Sequence, residues 1–214
     1  MPKETKVEIK GFEAKHYDAL LDFISLGKYK SFIRRVISDM NIQPDDRILD
    51  MGCGTGRNAC LMAEFLSEKG SILGLDIGDE MIAQFEKNCA ELAHVNVQKM
   101  RIDEPLPLEN EFDKALLSFV FHGFPPEKQE KIIANARKAL KPGGELFILD
   151  YQEFDLGKKP WFFRLIFKKA ECRLAQDYLK VDWKNYLKAR GFDDFDEKTY
   201  FRNIVRLLRA RLVG

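Results

Sequence analysis

The sequence predicts an α/β fold, a largely parallel sheet with helices on both faces. Three observations carry that prediction. Short apolar runs alternate with helical patterns from residue 47 to residue 150; two of the runs, Arg47 to Met51 and Ser71 to Asp76, carry an aspartate at their carboxyl end; and the first opens into a glycine cluster. Strands buried on both faces read as near-continuous apolar runs, and this alternation with helices is the pattern of a covered parallel sheet.

The elements follow in order. Glu13 to Leu26 and Lys28 to Met40 read as helices separated near Gly27, and Pro44-Asp45 forms the turn into the sheet. Arg47 to Met51 is the first strand, Asn58 to Glu68 a helix, and Ser71 to Asp76 the second strand. Asp79 is placed to cap a helix over Glu80 to Leu92, with Met81, Ile82, Phe85 and Cys89 along its apolar stripe. Val95 to Met100 and Phe112 to Phe119 are the third and fourth strands. Pro126 to Leu140 is a helix stopped by Lys141-Pro-Gly-Gly144, and Glu145 to Asp150 is the fifth strand. From Pro160 to Arg190 the pattern is that of one or two helices. Phe195 to Phe201 and Ile204 to Leu212 suit two strands around an Arg202-Asn203 turn, although Ile204, Leu207 and Leu208 also permit a helix.

Composition bounds the function. The 214 residues suit one domain, and 45% apolar with 32% charged residues describes a globular chain with a core. Thirty-five Lys and Arg against thirty-four Asp and Glu leave a formal charge of +1, which argues against a nucleic-acid partner. The longest apolar stretch, Ala115 to Phe121, is far shorter than the roughly 20 residues that cross a bilayer, so no transmembrane segment is expected. Met1 to Lys10 mixes charged and apolar residues with no hydrophobic signal region, and the expected location is cytoplasmic. The four cysteines lack a C-x-x-C pair and histidines at ligand spacing, so no metal site is expected.

Asp50-Met-Gly-Cys-Gly-Thr-Gly56 sets three glycines at alternate positions between the first strand and the first helix of the alternation, where α/β proteins bind ligands. Glycine permits the unusual backbone angles of such a turn and lets a ligand approach the main chain. A dinucleotide fingerprint fails, because Arg57 stands where G-x-G-x-x-G needs its third glycine. Asp50 beside the loop would repel a pyrophosphate and attract an ammonium group. S-adenosylmethionine carries an ammonium group, a sulfonium and a ribose diol, and Asp76 at the end of the second strand is placed to accept from both ribose hydroxyls. The plainer alternatives are a tight turn for the loop, a helix cap for Asp76, and for Cys53 either a presented nucleophile or a small residue filling tight space.

Through Ile48 to Gly56, Gly74-Leu-Asp76, Leu106-Pro-Leu108 with Phe112-Asp113, and Leu140-Lys-Pro-Gly-Gly144, the chain resembles the class I S-adenosylmethionine-dependent methyltransferases. The resemblance spans residues 45 to 150 and implies a Rossmann-like, seven-stranded, mostly parallel sheet whose last two strands form an antiparallel hairpin. It also implies S-adenosylmethionine as cofactor, with Asp50, Gly52, Cys53, Gly54 and Gly56 at its methionine end, Asp76 at the ribose, and Ile77 and Met81 among the cofactor-binding residues. Arg101, Ile102 and Asp103 are candidates for the adenine edge, and Ser118 for a further cofactor contact; Asp103 also suits a solvated loop acid. From Phe32 to Gly191 the chain looks most like the small-molecule branch that contains the quinone-ring C-methyltransferases. Ser118 to Phe124 stands where many amino-methylating nucleic-acid enzymes carry an Asn- or Asp-Pro-Pro-Tyr motif.

His122, leaving the fourth strand at its carboxyl end, is the candidate catalytic base; a passive role beside the cofactor is the alternative. One domain is expected, with residues 1–44 as a helical cap, 45–150 as the cofactor-binding core, 151–190 as a helical insert on the substrate side and 191–214 as the hairpin. Lys158 to Lys169 interleaves Trp161, Phe162, Phe163, Leu165 and Phe167 with cations. That stretch suits an oily small-molecule acceptor, an interfacial helix on anionic lipid, a clamp on single-stranded RNA, or a core helix with a cationic edge. Arg202, Arg206, Arg209 and Arg211 read as a solvated sheet edge.

Overall fold

The computed structural model describes residues 29–161, 164, 165, 167 and 173–214. The helix expected over Glu13 to Leu26, and part of segment 158–169, lie outside them. The strands are β1 (Arg47–Met51), β2 (Ser71–Asp76), β3 (Val95–Lys99), β4 (Phe112–Ser118), β5 (Leu140–Tyr151), β6 (Phe192–Tyr200) and β7 (Val205–Leu212). They form one sheet in the order β3-β2-β1-β4-β5-β7-β6. β1 to β5 are parallel, and β7 is antiparallel to both β5 and β6.

Alternation along the strands splits the core in two. Ile48, Ile72, Leu116, Phe147 and Leu149 face α1 (Tyr29–Asp39), α2 (Arg57–Ala63) and α3 (Asp79–Asn88), and meet Ile33, Val36, Met62 and Phe85. Leu49, Leu75, Leu117 and Ile148 face α4 (Pro126–Ala139), α5 (Arg173–Tyr178) and α6 (Trp183–Lys188), and meet Ile132, Ala136, Trp183 and Leu187. Each large side chain buried this way contributes about 1.5–3 kcal/mol. β6 carries Asp193, Asp194, Asp196, Glu197 and Lys198 on an edge with a register shift between Asp193 and Asp196, and charged, kinked edges resist pairing with other chains.

Several elements depart from the sequence expectation. α2 stops at Ala63 rather than Glu68, because the Phe65 and Leu66 amides donate three residues back to Met62 and Ala63, and the Ser67 amide then donates to Pro44 across the loop. α3 begins at Asp79 and ends at Asn88; Gly78, not Asp79, is its cap residue. α4 ends at Ala139, and β5 begins immediately at Leu140, which pairs with Phe112. The helices after Pro160 include α5 and α6, the latter capped by Asp182, which accepts from the Asn185 amide at 3.0 Å. The final segments are strands, and β6 starts at Phe192, earlier than expected. Arg206 is no solvated edge residue: β7 is an inner strand, and the Arg206 side chain is buried and grips Glu153 at 2.7 and 2.9 Å.

Candidate active site

Strand order reverses between β1 and β4, and the crevice at the carboxyl ends of these strands is where an open α/β sheet takes ligands. The glycine loop enters it from β1. The Gly52 and Cys53 amides both donate to the Leu75 carbonyl, tying the loop to β2. Gly52, Gly54 and Gly56 have φ of 82°, 55° and 78°, a region that side chains rarely adopt. A Cβ on Gly52 would stand 2.9 Å from Val120 and one on Gly56 2.6 Å from Phe85, whereas one on Gly54 would meet nothing within 4 Å. The outer two glycines are therefore packed against the fold, and Gly54 faces open space.

Asp50 is fully buried on β1, and both of its carboxylate oxygens lack a hydrogen-bond partner among the described residues. Burial, and then the charge of Asp76, push its pKa up to about 7. Asp76 is half-buried at the end of β2. Its Oδ2 accepts from the Gly54 amide at 2.9 Å and its Oδ1 from the Ile77 and Gly78 amides at 2.7 and 2.9 Å. It thus braces the loop and the approach to α3, in whose first turn Met81 is buried. Cys53 is buried with its sulfur in the space beside Gly74, and burial followed by the charges of Asp50 and Asp76 pushes its thiol far above the ordinary range. It fills space and is no nucleophile.

Beyond β3 the turn carrying Arg101, Ile102 and Asp103 is bolted to α4. Asn135 Nδ2 donates to the carbonyls of Ile102 and Glu104 at 2.9 and 2.7 Å. Asp103 is buried, not a solvated acid, and pairs with Arg101 and Lys128, each at 3.1 Å. Burial raises its pKa, but hydrogen bonds and charge from those two cations outweigh that and hold it below the usual carboxylate range. Ile102 is buried in the core.

On the other side of the crevice Ser118 ends β4, half-exposed, and Phe119 follows with φ of 52°. A bulky residue in that region is strained. The reversal leads into a short 3₁₀ turn, Phe121–Gly123, that carries His122. The His122 amide donates to Asp150 Oδ2 at 3.1 Å, and its ring Nδ1 lies 2.7 Å from Asp150 Oδ1. Asp150 is buried at the end of β5, so the histidine is held from two points, its amide and its ring. The ring stands 5.2 Å from Tyr151 and 6.3 Å from Tyr178. Aromatic residues flank this end: Tyr151 packs on Phe167, Phe167 on Phe154, and on the opposite face Phe32 contacts Phe119, Tyr200 and Phe201.

A methyltransferase-domain family profile matches residues 48–144, the stretch from the glycine loop through β4 to the start of β5. Demethylmenaquinone methyltransferase of Shouchella clausii is 27% identical over 180 residues, covering 79% of this chain and 74% of that one. The enzyme of the same name from Listeria monocytogenes is 28% identical over 194 residues, covering 85% and 78%. The chain carries a methyltransferase domain over residues 48–144 and is an S-adenosylmethionine-dependent methyltransferase. The methyltransferase also shares its fold with a SAM-dependent methyltransferase from Aquifex aeolicus, at a TM-score of 0.58 and 20% identity, covering 85% of this chain and 89% of that one.

The residues present fit the methyl donor. A buried carboxylate with no internal partner suits an ammonium group, and a glycine open on its ligand side suits close approach. Sequence reasoning missed Asp150, although Ile148-Leu-Asp150 repeats Ile48-Leu-Asp50 at the end of another strand of the methyltransferase. It also missed Phe119 and Val120, whose contribution is a backbone reversal and a contact on Gly52 that no local pattern announces.

Proposed function

We propose that this methyltransferase methylates a small lipophilic acceptor and that His122, oriented by Asp150, takes the acceptor's proton. The observation that carries this reading is the His122–Asp150 pair, 2.7 Å apart at the carboxyl end of the sheet and flanked by aromatic rings. S-adenosylmethionine supplies a methyl group on a sulfonium whose charge is lost on transfer. The chain's own task is alignment and exclusion of water, which aromatic walls serve, together with removal of one proton. Nδ1–H donated to Asp150 leaves Nε2 as the acceptor nitrogen and favours the imidazolium that follows.

In this reading Asp50 holds the ammonium group, and Gly52, Cys53 and Gly54 lay main chain along the methionine end, with Ser118 opposite. Asp76 retains lone pairs for the ribose hydroxyls, flanked by Ile77 and Met81. Arg101 and Asp103 fix their turn, so Ile102 and the main chain beside it form the adenine edge. The cover over the acceptor includes Phe32 of α1 and Phe154 and Phe167 of the segment after β5.

The relatives named for demethylmenaquinone make a quinol-type ring the first acceptor to try. Trp161 and Leu165, 75% and 62% exposed and four residues apart, stand among Lys158, Lys159 and Arg164. Apolar side chains set among cations suit an anionic membrane surface, and no described helix is long and apolar enough to cross a membrane. A cytoplasmic enzyme touching the bilayer through Trp161 and Leu165 draws an oily acceptor from it.

Methyl-labelled S-adenosylmethionine, incubated with the enzyme and either demethylmenaquinol or a cell extract, tests the reading. Label is expected in the organic phase. Label confined to RNA or protein overturns the acceptor class, and cofactor binding without label in any fraction moves the function to a partner protein.

A further inference from the structure

The Cys60 and Cys89 sulfurs lie at bonding distance, their Cα atoms 5.8 Å apart across 29 residues of sequence. That separation is within the ordinary range for a disulfide. Cys60 sits in the first turn of α2, and Cys89 is the residue that closes α3, so the pair joins the helix that leaves the glycine loop to the helix that follows Asp76.

The surroundings of the pair are the loop itself. The Gly56 carbonyl accepts from the Cys60 amide at 2.8 Å, and the Cys89 sulfur lies 3.6 Å from the same carbonyl. One residue earlier, Asn88 Nδ2 donates to the Thr55 carbonyl at 3.0 Å. The carboxyl end of α3 therefore clasps Thr55 and Gly56, and Gly56 is the glycine whose left-handed backbone starts α2. Two sulfurs joined there hold α2, α3 and the loop as one unit. Two separate thiols need more room than a bond allows, and the nearest groups able to yield are the Gly56 carbonyl and the first turn of α2.

We propose that Cys60 and Cys89 form a thiol–disulfide pair that sets the affinity of the glycine loop for S-adenosylmethionine, the oxidised form binding more tightly. Cys60 is the half-buried member and Cys89 the buried one, so Cys60 is the sulfur that a small disulfide reaches first. The Cys60 thiolate attacks the disulfide of a low-molecular-weight oxidant such as oxidised glutathione, the oxidant's S–S bond breaks, and one thiol leaves. The Cys89 thiolate then attacks the Cys60 sulfur of the mixed disulfide and expels the second thiol. Two electrons pass from the protein sulfurs to the oxidant, and the two protons end on the released thiols. Disulfides in reducing compartments are mostly transient and redox-sensing, the behaviour expected of this pair.

The inference rests on the reading that the glycine loop holds the cofactor, and the two are separable. The whole chain is treated with oxidised glutathione or with a phosphine reductant, its cysteines are mapped by alkylation and mass spectrometry, and S-adenosylmethionine affinity is measured by calorimetry. Cys60–Cys89 linkage is expected after oxidation, with affinity about two- to ten-fold tighter than in the reduced protein, the size of effect that pre-ordering one loop contact gives. Cys60→Ser and Cys60→Ala should match the reduced protein and ignore the oxidant, while Cys172→Ser should respond as the natural chain does. Free Cys60 and Cys89 after oxidation, or equal affinity in the two linked and unlinked states, overturns the proposal. Gly54→Val distinguishes the failures: lost affinity in that variant, together with no redox effect in the natural chain, sinks the redox inference alone, and retained affinity in the variant sinks the loop reading beneath it.

Discussion

At the ends of β1 and β2 main chain dominates, with Gly52, Gly54 and Gly56 in left-handed geometry and the Gly54 amide held by Asp76, whereas at the ends of β4 and β5 side chains dominate, His122 held by the buried Asp150 and standing beside Tyr151. In the proposed reading the first half recognises S-adenosylmethionine, and its atoms are set by two short stretches of sequence, Asp50 to Gly56 and Asp76 to Gly78. The second half gathers side chains from β4, β5 and the segment that follows, with the hairpin tip nearby, and such an arrangement can change acceptor one residue at a time.

Main-chain geometry is most demanding at Gly56. Gly56→Val places a Cβ 2.6 Å from the Phe85 ring at a φ of 78°, and is expected to destabilise the protein by about 2–5 kcal/mol and to abolish cofactor binding. A thermal melt and calorimetry read both, and near-natural affinity would show that main-chain geometry does not govern this half. On the side-chain half, His122→Ala should lower kcat about 10²- to 10⁴-fold while leaving cofactor affinity within about three-fold. Equal losses in both quantities would put His122 in the cofactor's half instead. Asp150→Asn should lower kcat less, by about 10- to 100-fold, and move the acid limb of its pH profile, because the imidazolium loses its counter-charge.

Asp50, the proposed partner of the ammonium group, is buried at a cost in stability. Its pKa stands near 7 in the folded chain, above the ordinary carboxylate value, so the folded state binds a proton that the unfolded state has lost. The associated stability is whole below the unfolded pKa and disappears as pH rises through about 7. Asp50→Asn should therefore melt higher than the natural chain at pH 8, with the gap closing toward pH 4, and bind S-adenosylmethionine about 10- to 100-fold more weakly. A gap that does not depend on pH would remove the carboxylate from this account. The smallest effect is expected at the surface: Trp161→Ala with Leu165→Ser should weaken binding to anionic phosphatidylglycerol vesicles about three- to ten-fold and leave the melting temperature unchanged.

What was legible in the sequence follows the same division. β1, the glycine loop, β2 and Asp76 were readable because their constraints are local: a φ above zero demands glycine, and a strand that ends in an acid at a crevice leaves a pattern within a few residues. The family resemblance added the antiparallel hairpin, which periodicity alone left open to a helix. Asp150, Arg206 and the Cys60–Cys89 pair were not readable, because each acquires its meaning from a partner 28, 53 or 29 residues away. Asp103 was open in the sequence between a cofactor-site residue and a solvated loop acid, and its burial removes the second. A position between Arg101 and Pro105 looks like an exposed loop, but Asn135 from α4 pulls that turn inward, and Lys128 of the same helix closes over the acid.

The position of β7 governs when the site can exist. β6 pairs with β7 and with no other strand, while β7 pairs with both β5 and β6, so the later strand must insert before the earlier one can join the sheet. A nascent chain that has emerged only as far as β6 has β1 to β5 available to assemble, but the outer edge of β5 stays bare, and bare edges invite pairing with other chains. Tyr151, beside the His122 ring, pairs with Val205, and Asp150 with Arg206. During synthesis the glycine-loop half can thus be complete while the half that carries His122 and Asp150 still awaits its last strand.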